Sequence, residues 1–205
     1  MSAVRLMLVA MSCLIGACAT HRPNPSQTPA DIGARWQAHQ AQLAAVKAFR
    51  LDARMAGGLL GFRAKLRWQQ FADAQFRMRV SGPLGSGATE LSGDPQAVTV
   101  RHAKGEAFTA DPESWIRTHY GWQLPINGLR DWALGRPQSG IAHHLELDES
   151  GRAGRIVQSG WQLEYLEYQT VAGISLPRRI NASNGQTQLR LVADQWDQLC
   201  CPNAP

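Results

Sequence analysis

Between residues 48 and 80 the chain alternates apolar and polar side chains with a period of two, in three successive segments. Phe49, Leu51, Ala53 and Met55 oppose Arg50, Asp52 and Arg54. Phe62, Ala64, Leu66 and Trp68 oppose Arg63, Lys65 and Arg67, and Phe76, Met78 and Val80 oppose Gln75, Arg77 and Arg79. Neighbouring side chains of a strand face opposite sides of its sheet, so the pattern predicts antiparallel strands with an aromatic inner face and an arginine-rich outer one. Turns are expected at Gly57-Gly58, at Ala72-Asp73 and at "GDPQ" (93–96), the last leading into a strand that holds Val98 and Val100. Strands resume at 142–147, 155–159, 161–168, 175–182 and 187–196. There "DESG" (148–151) marks a turn and Asn184-Gly185 signals a two-residue hairpin.

Three stretches follow helical spacing instead. Ile32, Trp36, Leu43 and Val46 predict an amphipathic helix over 31–47, capped by Asp31 or by Thr28 before Pro29. Asp111, Pro112 and Glu113 form a helix start, followed by Trp115, Ile116, His119 and Tyr120 and a stop at Gly121. A short third helix in "INGLRDWALG" shows Leu129, Trp132 and Ala133 on one face and ends at Gly135. About ten strands and three helices make an α+β fold, one large antiparallel sheet with helices on one side. A sheet of that size has to curl. If the helices cover its opening, the aromatic face encloses an apolar hollow; a fully packed core is the alternative.

The N-terminal segment changes the setting. "MSAVRLMLVAMSCLIGA" carries one early positive charge, then an apolar run too short to span a bilayer, then small residues, which is the layout of a secretory signal peptide over residues 1–17. Its end, Ile15-Gly16-Ala17-Cys18, resembles the lipobox of bacterial lipoproteins. That resemblance implies cleavage before Cys18, an S-diacylglycerol and an N-acyl chain on that cysteine, and no other cofactor. Several acyl chains hold a protein firmly at a bilayer. In such lipoproteins an aspartate after the lipidated cysteine is the signal for staying in the inner membrane, so with Ala19 there the resemblance implies the outer membrane; the proline-rich residues 18–30 read as a lipidated flexible tether. The folded domain is expected over 31–197 with a tail from 198 to 205 containing Cys200 and Cys201.

Recognisable catalytic chemistry is sparse. The chain has no Gly-x-Ser-x-Gly, phosphate-binding loop, dinucleotide fingerprint or His-Glu-x-x-His. Ser86 lies between glycines without the nucleophile-elbow pattern. His143 and His144 point to opposite faces of a strand, so His144 and Glu146 share one face but fall short of a metal site. His39, His102 and His119 have no carboxylate at a diagnostic spacing. The formal charge of +5, lowered by one when Arg5 leaves with the signal, suits an anionic lipid or an acidic partner, and no nucleic-acid motif accompanies it. Seven tryptophans beside so few reactive groups favour binding over catalysis.

The stretches "LRWQQ" (66–70), "GPLGSGATEL" (82–91), "LPINGLRDWALG" (124–135), "GWQLEY" (160–165), "LPRRI" (176–180) and Trp196 together resemble the LolB family of outer-membrane lipoproteins. The resemblance implies an open, incomplete antiparallel β-barrel lidded by helices. Its apolar cavity takes acyl chains of lipoproteins from the periplasmic carrier LolA, and the protein inserts them into the outer membrane without a covalent step. It also implies a periplasm-facing, lipid-anchored monomer whose partners are LolA, cargo acyl chains and outer-membrane lipid. In that family the leucine of a Pro-Leu-Gly loop protrudes into the bilayer, which assigns the role to Leu84 flanked by Pro83 and Gly85. Phe62, Leu66, Trp68, Phe76, Met78, Trp132 and Trp161 are the cavity candidates, with ordinary core packing as the competing explanation. A membrane-anchored lipid-modifying hydrolase and a lipid-binding envelope module are the alternative functions. The outward arginines, Arg50, Arg54, Arg63, Arg67, Arg77 and Arg79, attract headgroups or the carrier, or simply form a solvated face.

Overall fold

A computed structural model describes residues 28–57, 61–85, 87–120 and 126–200. The signal segment, Cys18, most of the tether, Gly58, Ser86, Gly121 and Cys201 lie outside the described residues. The first helix, α1 (Pro29–Ala45), starts and ends two residues before the expected span. Thr28 rather than Asp31 is its N-cap. Thr28 Oγ1 accepts from the Asp31 amide (3.3 Å) while the Asp31 carboxylate accepts from the Thr28 amide (3.2 Å), a reciprocal capping box. The Thr28 hydroxyl also donates to the Asp31 carboxylate (2.7 Å), and this bond, with the one from the Thr28 amide, lowers the Asp31 pKa below its ordinary value. Trp36, His39 and Leu43 form the buried face.

The strands are β1 (Ala48–Gly57), β2 (Phe62–Gln70), β3 (Phe76–Ser81), β4 (Thr89–Asp94), β5 (Ala97–His102) and β6 (Gly105–Thr109), then β7 (His143–Leu147), β8 (Ala153–Gln158), β9 (Trp161–Val171), β10 (Ile174–Ser183) and β11 (Gln188–Cys200). All pair antiparallel in one sheet, in the order β6-β5-β4-β3-β2-β1-β11-β10-β9-β8-β7. Each half is a meander, and β1 pairing with β11 joins the two halves. Since β6 and β7 are both edges, the sheet stays open. The chain must cross from one edge to the other, and the crossing is made by α2 (Pro112–Tyr120) and α3 (Ile126–Ala133). Topology therefore supplies the lid.

The expected α+β architecture is present, with differences at particular points. The segment 105–109, not marked as a strand by its pattern, is β6; its Phe108 faces water at the sheet edge and so breaks the apolar-in rule. Asn184-Gly185 opens a four-residue loop rather than a two-residue turn, because Asn184 Oδ1 accepts from the amides of Gln186 (3.1 Å) and Thr187 (2.7 Å). The final strand runs past Trp196 to Cys200, into the segment read as a tail. On the inner face Phe49 sits between Trp68 and Trp196, edge-on to each at 5.1 Å between ring centroids. Gly151 is buried beneath α1, where a Cβ would fall 2.5 Å from that of Arg35, so a residue without a side chain lets the helix lie against the β7–β8 turn.

Candidate functional site

The concave side of the sheet holds an apolar hollow. Its floor comes from the middle rows of β1–β4, where Leu66 pairs with Val80, Trp68 with Met78 and Met78 with Leu91. The second meander adds Trp161, Leu163, Ile180, Leu189 and Leu191, and α3 closes the top with Leu129, Trp132 and Ala133. Arg190 is the one charged residue on its border. Among the described residues that line it, no serine, cysteine, histidine or carboxylate is present.

Five of the seven cavity candidates, Leu66, Trp68, Met78, Trp132 and Trp161, line this hollow. Phe62 and Phe76 do not, although both face inward. Phe76 opens β3 opposite Gln70, at the far end of the strand pair, and is packed solidly into the core. Phe62 opens β2 opposite Gly57 at the other end and is only half-buried. The alternation that singled out β1–β3 equally identifies Leu163, Leu189 and Leu191, since each alternates with a polar neighbour on a strand of the second meander. That these leucines share the floor of β1–β4 follows from the β1–β11 pairing, which joins the two meanders.

As it stands the hollow measures about 80 Å³. A cavity of about 150 Å³ accommodates benzene, and ordinary ligand sites span about 300–1,000 Å³. The structure therefore shows a small hollow rather than a roomy cavity, with Leu129, Trp132 and Ala133 of α3 packed over it. That helix is tied down by polar contacts. Trp132 Nε1 donates to Gln158 Oε1 (2.8 Å), Tyr165 Oη donates to the Trp132 carbonyl (2.9 Å), and Arg130 donates to the Lys47 carbonyl (3.0 Å). Complete burial pushes the Tyr165 phenol well above its ordinary pKa, so it stays a donor. Trp68 Nε1, by contrast, is buried without a hydrogen-bond partner.

Where β3 leaves this floor, four residues beyond Val80, Leu84 stands fully exposed. The Gly85 amide donates to the Gly82 carbonyl (3.1 Å), closing a turn with Pro83 in its second position and Leu84 in its third. Leu84 there has φ 55° and ψ 20°, where a turn of this kind normally carries glycine. A left-handed leucine costs about 1–2 kcal/mol. The positive φ values of this turn fall on Leu84 (55°) and Gly85 (82°). His144 and Glu146 form an exposed pair (3.3 Å) on the edge strand β7.

An open antiparallel sheet curled under helices, with an apolar centre and a protruding leucine, has the form of a binding protein for apolar groups. The family described as Outer membrane lipoprotein LolB matches residues 48–196. The outer-membrane lipoprotein LolB of Nitrosococcus oceani is 36% identical over 198 residues, covering 94% of this chain and 96% of its own. The Stutzerimonas stutzeri protein of the same description is 35% identical over 199 residues, covering 93% and 94%. The crystal structure of a LolA superfamily protein from Nitrosomonas europaea aligns with a TM-score of 0.49 at 9% identity, over 82% of this chain and 94% of that one. The chain belongs to the LolB family of outer-membrane lipoproteins. Its place is the outer membrane, on a lipid anchor.

Proposed function

We propose that the protein faces the periplasm from acyl chains on Cys18, receives lipoprotein acyl chains from the carrier LolA in the hollow beneath α3, and releases them into the outer membrane beside Leu84. The observation that carries this reading is Leu84: a large apolar side chain, fully exposed, on a backbone that leucine adopts only at a cost. Exposure forgoes about 1.5–3 kcal/mol of burial, which a bilayer interface restores and water does not.

Transfer needs no bond to be made or broken. A sixteen-carbon chain gains about 12 kcal/mol in apolar surroundings, so it moves only between hosts that offer comparable cover. The apolar lining offers such cover once α3 withdraws Leu129 and Trp132, and the bilayer is the deeper sink. One chain forms the whole site, so a monomer suffices.

The test is reconstitution with lipoprotein-loaded LolA and vesicles. Leu84→Glu should still take cargo from the carrier while its delivery to vesicles falls at least tenfold. Delivery at the wild-type rate would refute the assignment.

A further inference from the structure

The six outward arginines of β1–β3 are not equivalent. Arg50 and Arg67 share Asp52 (3.6 and 3.4 Å), Arg54 holds Asp194 (2.7 Å), and Arg77 and Arg79 share Glu90 (both 3.9 Å). Arg63, the sixth, and Lys65 beside it on β2 have no carboxylate partner among the described residues. Neither does Arg190 of β11, whose Nε donates to Asn181 Oδ1 (3.3 Å).

Register brings these cations together. Arg63 lies opposite Ala56 across the β1–β2 pair, and Ala56 lies opposite Arg190 across β1–β11. The small side chain between two long ones leaves a surface hollow of about 400 Å³, which Lys65 and Arg54 border as well. Gly82 and Pro83 complete its wall, so the cup abuts the turn that carries Leu84. Lys65 also borders a second hollow whose rim includes Leu84 itself.

We infer that Arg63, Lys65 and Arg190 form a seat for the phosphate of an anionic phospholipid in the leaflet that Leu84 enters. The inference rests on the reading of Leu84 as the membrane-inserting residue. Cations held against carboxylates gain little from a headgroup, because each would first have to give up a partner. These three have no carboxylate to give up; Arg190 would release only the neutral Asn181 amide. Guanidinium groups present paired donors that match phosphate oxygens, and the strand register fixes two of them on either side of a gap. Each unpaired cation near an anionic surface raises partition about fivefold. Insertion of Leu84 is sequence-blind to headgroups, so the cup supplies the orientation: the turn enters the bilayer with the outer face of β1, β2 and β11 against the phosphate layer.

The experiment is vesicle co-sedimentation of the mature chain from residue 18 carrying Cys18→Ser, which removes the acyl anchor. Vesicles are phosphatidylcholine alone or with 30 mol% phosphatidylglycerol, at low and high salt; the composition is about that at which surface charge is well developed. Wild type should prefer the anionic vesicles by about a hundredfold at low salt, and Arg63→Gln/Lys65→Gln/Arg190→Gln should lose most of that preference. Arg50→Gln/Arg77→Gln/Arg79→Gln, which removes the same three charges from cations paired with carboxylates, should lose far less. Equal loss in the two variants would reduce the seat to general surface charge and overturn it. A triple variant that keeps its vesicle preference but crosslinks poorly to LolA would also overturn it, transferring the cup to the carrier. The Leu84 reading fails separately, if Leu84→Glu leaves binding to phosphatidylcholine vesicles unchanged.

Discussion

The indole of Trp132 and the amide of Gln158 meet at 2.8 Å in the closed interior, and the amide uses its remaining capacity completely. Gln158 Oε1 also accepts from the Gln138 amide (2.9 Å), and Nε2 donates to the carbonyls of Gln138 (3.0 Å) and Ile141 (3.1 Å). One buried side chain on β8 thus ties the lid helix to the segment that leads into β7. Gln158→Leu would strand several of these groups at once, and a loss of about 3 kcal/mol is expected. Trp132→Phe removes one donor while Gln158 keeps its other partners, so it should cost clearly less. Urea unfolding midpoints of the two variants check the order; equal losses would mean that the amide is not the organising group.

Leu84 offers a cleaner separation of stability from function. Its side chain touches water, so removal forfeits no packing, while its left-handed backbone favours glycine. Leu84→Gly should leave stability equal or raise it by up to about 1 kcal/mol, the relieved strain being offset in part by the greater freedom of the unfolded chain. Delivery of lipoprotein to vesicles by the same variant should fall at least tenfold. Leu84→Ala retains the strained backbone and should gain no stability. Thermal melts beside the delivery assay read both effects, and a Leu84→Gly protein that melts several degrees lower would show a packing role for the side chain.

His39 gives the fold a dependence on pH. It is buried on α1 with Nε2 unpartnered, and desolvation is the leading cause that lowers its pKa below 6.5, with Arg152 adding to the lowering and Gln42 and Asp148 opposing it. The folded state keeps the ring neutral where the unfolded chain already takes up a proton. Stability is therefore complete above about pH 6.5 and falls as the pH drops below it. His39→Leu should flatten that part of the melting curve between pH 7 and 5 and leave stability at pH 7.5 equal or higher. An unchanged slope would place the acid sensitivity elsewhere than His39.

Much of this architecture was legible because strand alternation is a strictly local rule. Phe49 to Met55 and Phe76 to Val80 declare their faces without reference to anything distant, and Thr28, Asp111 and Gly135 punctuate the helices through their own backbone bonds. What escaped is relational. That Phe62 and Phe76 flank the hollow rather than line it depends on register, which places them at the ends of paired strands. Leu189 and Leu191 join the lining only because β11 returns to pair with β1. The small size of the hollow reflects Leu129 and Trp132 of α3 lying against its floor, a matter of packing between residues far apart in the chain. The distinction between Arg63 and the other five arginines likewise rests on Asp52, Glu90 and Asp194, whose neighbours the sequence does not reveal.

The hollow's size leads to the last prediction, which sets two substitutions of opposite sense against each other. If acyl chains enter by widening a space of about 80 Å³, part of their binding energy is spent on moving the side chains that fill it. Leu129→Ala clears some of that space in advance at a stability cost of about 2 kcal/mol, and it should bind a fluorescent sixteen-carbon fatty acid several-fold more tightly. Leu163→Trp fills the space from the floor, at a cost of about 1–3 kcal/mol for overpacking, and should weaken the same binding at least tenfold. Both proteins lose stability while their affinities move in opposite directions, so a general loosening of the fold cannot produce the pattern. Parallel changes, or none, would mean that acyl chains are held on some other surface.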